Sequence, residues 1–99
     1  MTFYHATTPE CAEKIAASGR IKKGMDGCVY LCKAAADACK FLAIRGIKKV
    51  IVFEVELKEE EVQESFDHSE AFFQCKAYIY NKNIQRKSIK TAWEYTFNI

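Results

Sequence analysis

Two histidines, five cysteines and an uneven scatter of carboxylates and lysines are the groups in this 99-residue chain able to do chemistry. Of these, His5 has the most telling setting. The run Thr2-Phe3-Tyr4-His5-Ala6-Thr7 is aromatic and strand-forming, and a helix start follows at once, with Thr8 as N-cap, Pro9 at the first helical position and Glu10 in the first turn. A histidine at such a junction sits beside unpaired backbone N–H groups and the positive end of a helix, a setting that favours a phosphate or a polarised ribose. The blander reading is a histidine that merely closes a strand. His68, in Asp67-His68-Ser69, reads as part of a polar turn. The cysteines Cys11, Cys28, Cys32, Cys39 and Cys75 are odd in number and lack the paired spacing of a zinc site. No local pattern marks any of them as an activated nucleophile working with His5.

Composition narrows the setting. Ninety-nine residues suit one domain, spanning 1–99, and with 49% hydrophobic residues a core is attainable without metals or disulfides. No run of eighteen apolar residues and no signal-peptide layout is present, so no membrane partner is expected, and the thiols read as the reduced cysteines of a cytoplasmic protein. A net charge of +2 does not mark the whole chain as a polyanion binder. The charge is nevertheless segregated. Glu59, Glu60, Glu61, Glu64, Asp67 and Glu70 crowd one stretch, whereas Ala71 to Trp93 holds Lys76, Lys82, Arg86, Lys87 and Lys90 with no acid. Both blocks read as solvated surface, with a positive rim for a phosphate-bearing ligand as the sharper alternative.

The elements that must position His5 follow in order. Pro9 to Ser18 reads as a helix with Ala12, Ile15 and Ala16 as its apolar stripe and Gly19 as its stop. Arg20 to Lys23 is a crossing segment anchored by Ile21, and Gly24 to Gly27 is a turn. Cys28 to Cys32 is a strand whose alternation turns Val29 and Leu31 inward and Tyr30 outward. Ala34 to Ile44 is a second helix closed by Gly46, and Lys48 to Leu57 is a strand, central at first and then running to an edge. Lys58 to Ser69 reads as a long polar loop with a helical turn near Glu59–Glu64. Further strand segments follow at Phe72-Phe73, at Ala77–Tyr80 and, with Trp93, Tyr95 and Phe97 on one face, at Ser88–Ile99, with a turn at Asn81-Lys82-Asn83 between the last two. The order β-α-β-α-β followed by a strand pair, without any glycine-rich phosphate loop, predicts an α+β fold rather than a doubly wound one.

Laid out in this order, the residues resemble the ADP-ribosyltransferase fold nearly end to end. Tyr4-His5-Ala6-Thr7 is similar to the family's first motif, and Val29-Tyr30-Leu31-Cys32 followed by the Ala34 helix is similar to its second. Val50 to Leu57 matches the strong hydrophobic strand, and Tyr78-Ile79-Tyr80-Asn81 with Ile84 and Trp93–Phe97 matches the closing strands. The catalytic lobe of RNA 2′-phosphotransferases is also similar. The resemblance implies a minimal split sheet with two short helices and a cleft that takes NAD as substrate. It implies nicotinamide stacked on Tyr30, a ribose hydroxyl held by His5, the carboxamide clamped by the Ala6 main chain, and Tyr4 and Thr7 flanking them. Where the family carries a catalytic glutamate that stabilises the oxocarbenium-like centre, this chain has Gln74-Cys75-Lys76, placing Lys76 or Gln74 at that position. Glu70 is the nearest upstream carboxylate, and Glu94 lies on the last strand, where the family has no catalytic role. Two function classes follow: an enzyme moving ADP-ribose from NAD to a protein or nucleic-acid acceptor, or acting like a 2′-phosphotransferase, and a catalytically silent module that binds NAD, ADP-ribose or a protein. A small α+β domain with a buried histidine is the third.

Overall fold

The computed structural model describes residues 1–24, 27–43, 46–65 and 77–96. Strand β1 (Thr2–Thr7) leads into helix α1 (Pro9–Ser18), then β2 (Val29–Leu31), α2 (Ala35–Ala43), β3 (Lys49–Glu56), β4 (Val62–Ser65), β5 (Ala77–Tyr80) and β6 (Ile89–Thr96). Single 3-10 turns at Glu59–Glu61 and Arg86–Ser88 introduce β4 and β6. The strands form two three-stranded antiparallel sheets, ordered β1-β3-β6 and β2-β5-β4. The fold is α+β, as the sequence predicts.

Local chemistry sets the boundaries of α1. The Thr8 hydroxyl accepts from the Cys11 N–H at 3.3 Å, and Pro9 occupies the first turn, where its missing N–H is harmless. At the other end Gly19 adopts φ +75°, and its N–H returns to the Ile15 carbonyl at 2.7 Å. The Arg86 guanidinium lies against the bare Cα of Gly19, where a built Cβ would meet Nε at 2.7 Å. The positive φ is what favours glycine here, since the flexible, exposed Arg86 side chain can move aside.

Sheet β1-β3-β6 is covered on both faces, and the period of two in β3 divides its residues between them. Phe53 and Val55 join Phe3, Ile15, Ile21, Val29, Leu31 and Ile84 in the larger core, to which α1 contributes. Val50 and Val52 face the other way, with Cys39 of α2, and Tyr4, Ala6, Trp93 and Tyr95 pack around them. Phe3, Val52 and Val55 are essentially inaccessible to water. β3 is the central strand of its sheet, and a register irregularity at Glu54/Val55 marks its outward end.

The polar stretch that reads as a loop contains an element that the sequence hides. Among the described residues of that stretch the 3-10 turn Glu59–Glu61 is the helical part, and β4 follows it, pairing Val62 with Tyr80 and Gln63 with Ile79. An edge strand with one apolar residue inward has little alternation to show. The predicted strand Cys28–Cys32 shortens to Val29–Leu31, with Val29 and Leu31 buried and Tyr30 between them, as the alternation requires.

Candidate functional site

The two sheets meet along β1 and β2, and they meet only briefly. Tyr4 and Cys32 form a two-way antiparallel bridge, Tyr4 N–H to Cys32 O at 2.8 Å and Cys32 N–H to Tyr4 O at 3.0 Å. In a continuing antiparallel ladder the next bonded pair would be Ala6 and Tyr30. The ladder stops instead. The Nδ1 of His5 lies 2.9 Å from the Tyr30 carbonyl oxygen, the acceptor that the Ala6 N–H would otherwise have used. One side chain has replaced a backbone donor, and the sheets part at that point.

This substitution fixes two chemical states. A carbonyl only accepts, so Nδ1 carries the proton and donates, which leaves Nε2 of the neutral ring as an acceptor. Burial pushes the His5 pKa below its usual 6.5, and the bond to Tyr30 opposes this more weakly. The imidazole is therefore uncharged at neutral pH.

The second consequence concerns Ala6. In an antiparallel strand both backbone groups of a residue point to the same side, and the side alternates along the chain. Tyr4 spends its N–H and C=O on Cys32, so those of Ala6 point to that side as well, while Phe3, His5 and Thr7 bond towards β3. The Ala6 N–H and C=O thus face the opening, with no backbone bond to another described residue on that side. They offer one donor and one acceptor about a peptide length apart, which suits a primary carboxamide.

His5 also borders a cavity of about 320 Å³ beside α1. Thr7, Lys14, Arg20 and Lys22 line it, and among the described residues no carboxylate does. Cys11, Lys14, Ile15 and Ser18 reach it from α1, at helical spacings that place them on one side of the helix. The sequence offers one signal for Lys14, its helical spacing from Cys11 and Ser18, and none for Arg20 and Lys22, which lie beyond α1. Burial of phosphate oxygens here would meet only positive or neutral partners.

The residues expected to act together are distributed as follows. His5 and Thr7 line the cavity, and the Ala6 main chain faces the opening. Tyr30 is joined to His5 through its carbonyl, and its side chain alternates away from the core that holds Val29 and Leu31. Tyr4 turns to the α2 face, where its ring meets Trp93 edge-on at 5.9 Å. Its side chain is therefore a packing group, and its contribution to the site is the backbone bridge. Glu94 is exposed on β6, with Lys49 3.9 Å away. Gln74, Lys76, Glu70, His68, Cys75, Phe72, Phe73 and Phe97 lie outside the described residues. Among the described residues no group of His, Cys, Asp and Glu forms a metal cage, and no helix is long and apolar enough to cross a membrane.

Fold and site together define a small α+β protein with two antiparallel sheets that meet at the Tyr4–Cys32 bridge, beside which His5 bonds the Tyr30 carbonyl. Its structure is similar to that of protein CC0527 from Caulobacter crescentus, with a TM-score of 0.70 at 11% identity, covering 99% of this chain and 89% of that one. A double mutant of the same Caulobacter protein gives a TM-score of 0.67, also at 11% identity and with the same coverage of both chains. No family model and no curated protein matches the chain.

Proposed function

We propose that this protein is an ADP-ribosyltransferase-like protein that binds NAD by its nicotinamide end in the opening between the sheets and transfers ADP-ribose to an acceptor. The observation that carries the reading is the outward-facing backbone pair of Ala6, released when His5 takes the Tyr30 carbonyl. The carboxamide NH2 would donate to the Ala6 carbonyl, and its oxygen would accept from the Ala6 N–H. The bare Nε2 of His5 would accept from a ribose hydroxyl, Tyr30 would supply the stacking face, and Lys14, Arg20 and Lys22 would meet the diphosphate. Transfer breaks the glycosidic C1′–N bond, its electron pair leaving with nicotinamide, while an acceptor nucleophile adds to C1′. Gln74 and Lys76 stand where the resemblance puts the residue that attends the cationic centre.

One observation favours a second reading, binding without cleavage. Among the described residues, the cavity beside His5 is lined by cations and no carboxylate, and cations oppose a developing oxocarbenium charge. Proton NMR of NAD with the protein separates the two. Both readings predict a shifted Ala6 amide and saturation transfer to the nicotinamide protons. Free nicotinamide accumulating only with an acceptor present, such as a protein or RNA mixture, marks the transferase. An unmoved Ala6 amide at millimolar NAD, in a folded sample, refutes both.

A further inference from the structure

A larger cavity, of about 730 Å³, lies away from His5, and the proposed NAD site does not use it. Four separate segments build its wall: Met1, the crossing segment at Lys23, residues 56–61 and residues 80–88. Ile21 and Ile84 form a two-way backbone bridge at 2.9 and 2.8 Å, fixing the crossing segment after α1 to the turn after β5. Close by, the Lys23 N–H donates to Asn83 Oδ1 at 2.9 Å. That bond settles the orientation of the Asn83 amide and leaves its NH2 as a donor at the cavity. The 3-10 turn Arg86–Ser88 and the start of the segment after β3 close the remaining sides.

The electrostatics of this wall are one-sided once internal pairs are removed. Glu61 faces Lys82 at 3.7 Å and the Tyr80 hydroxyl at 3.5 Å, and Glu56 accepts from the N-terminal ammonium at 2.6 Å and the Thr2 hydroxyl at 2.8 Å. Lys23, Lys58 and Lys87 are exposed and have no ion pair among the described residues. Asn81 and Gln85 add exposed amides, able both to donate and to accept. Leu57 and Tyr80 are buried and Met1 is exposed, and the accessible wall mixes polar groups with a comparable share of apolar surface. A bare phosphate would fill a small part of the volume, which lies in the range of pockets that take larger small molecules such as a nucleotide.

We propose that this cavity is a nucleotide-binding site, in which Lys23, Lys58 and Lys87 hold phosphate and the amides of Asn81, Asn83 and Gln85 meet the polar edges of a base. A free nucleotide and one within a single strand of RNA present the same recognition chemistry, and the test below tells them apart. Neither the NAD site nor its chemistry is needed for it.

The test is a titration of the full chain with uridine monophosphate and with a uridine pentanucleotide, followed by amide NMR and repeated over a salt series. Uridine probes lack the nicotinamide carboxamide proposed to meet the Ala6 main chain, so the Ala6 amide reports whether the other site responds. Shifts are expected at Asn81, Asn83 and Gln85 with Ala6 unmoved. The exposed double variant Lys23→Gln/Lys87→Gln is expected to weaken binding at least ~10-fold and to lower the salt slope for the pentanucleotide by about 1.4, at ~0.7 per phosphate contact on a single strand. An unchanged melting temperature of the variant shows that folding is not the cause. Equal affinity for monophosphate and pentanucleotide assigns the site to a free nucleotide; tighter, salt-steep binding of the pentanucleotide assigns it to a strand. Binding of inorganic phosphate or poly-glutamate as tight as that of the uridine probes overturns the proposal, as does a double variant that binds like the native protein.

Discussion

Replacing His5 by alanine should close the sheet. The native ring bonds the Tyr30 carbonyl at 2.9 Å, and its removal takes that bond away. Losing this bond at a part-buried carbonyl costs at most roughly 1–3 kcal/mol. The Ala6 N–H is the nearest replacement by register, because the Tyr4–Cys32 bridge already aligns β1 and β2 for the next rung. A neutral bond re-formed there returns about 1 kcal/mol, so His5→Ala should cost well under the full penalty. The decisive readout is residue-specific. Native Ala6 should exchange its amide hydrogen fast, while Phe3 and His5, bonded towards β3, exchange slowly. In the variant the Ala6 amide should slow ~10-fold for each ~1.4 kcal/mol of new local stability. Its response to NAD should vanish with the opening. Hydrogen-exchange NMR on both proteins decides it. An Ala6 amide as protected as Phe3 in the native protein would refute the argument, and so would identical Ala6 exchange in the two.

Two further outcomes follow from the titrating groups. Because the folded-state pKa of His5 lies below its unfolded value near 6.5, the unfolded chain takes up the proton first, and the native state loses stability as pH falls below 6.5. Urea titrations at successively lower pH should show a loss approaching, and from this group never exceeding, about 1.4 kcal/mol per pH unit, with the slope reduced in His5→Gln. Cys39, buried against Val50 and Val52, has its thiol pushed up to about 11. At roughly pH 8 only ~0.1% of such a thiol is ionised, so a disulfide reagent should label exposed Cys11 promptly and Cys39 only on unfolding. Equal labelling rates followed by mass spectrometry would contradict the packing of α2 on β3.

The sequence carries the elements better than it carries their joining. Thr8, Pro9 and Gly19 announce α1 because capping is local chemistry, and Val29 and Leu31 announce their inward face because strand alternation is local too. β4 escapes notice because an exposed edge strand with Glu64 and Gln63 on it looks like a polar loop. The parting of the sheets is beyond reach of composition or period. It rests on one ring nitrogen meeting a carbonyl 25 residues away. The basic character of residues 71–93 is visible, but its meeting with Lys23 and Lys58 depends on the Ile21–Ile84 bridge, a contact between two short segments with no pattern of their own.

The pair of polar groups at position 6 belongs to the main chain. Every residue except proline supplies the same N–H and C=O there, so the identity of the side chain is free to drift as far as the space against Val52 and Cys39 allows. Position 5 bears the opposite burden, because a ring that donates from Nδ1 is what keeps the rung open. A lineage of such proteins would accumulate changes beside the site while the recognising atoms stayed the same, and a comparison of side chains alone would pass over the part of the molecule that does the recognising.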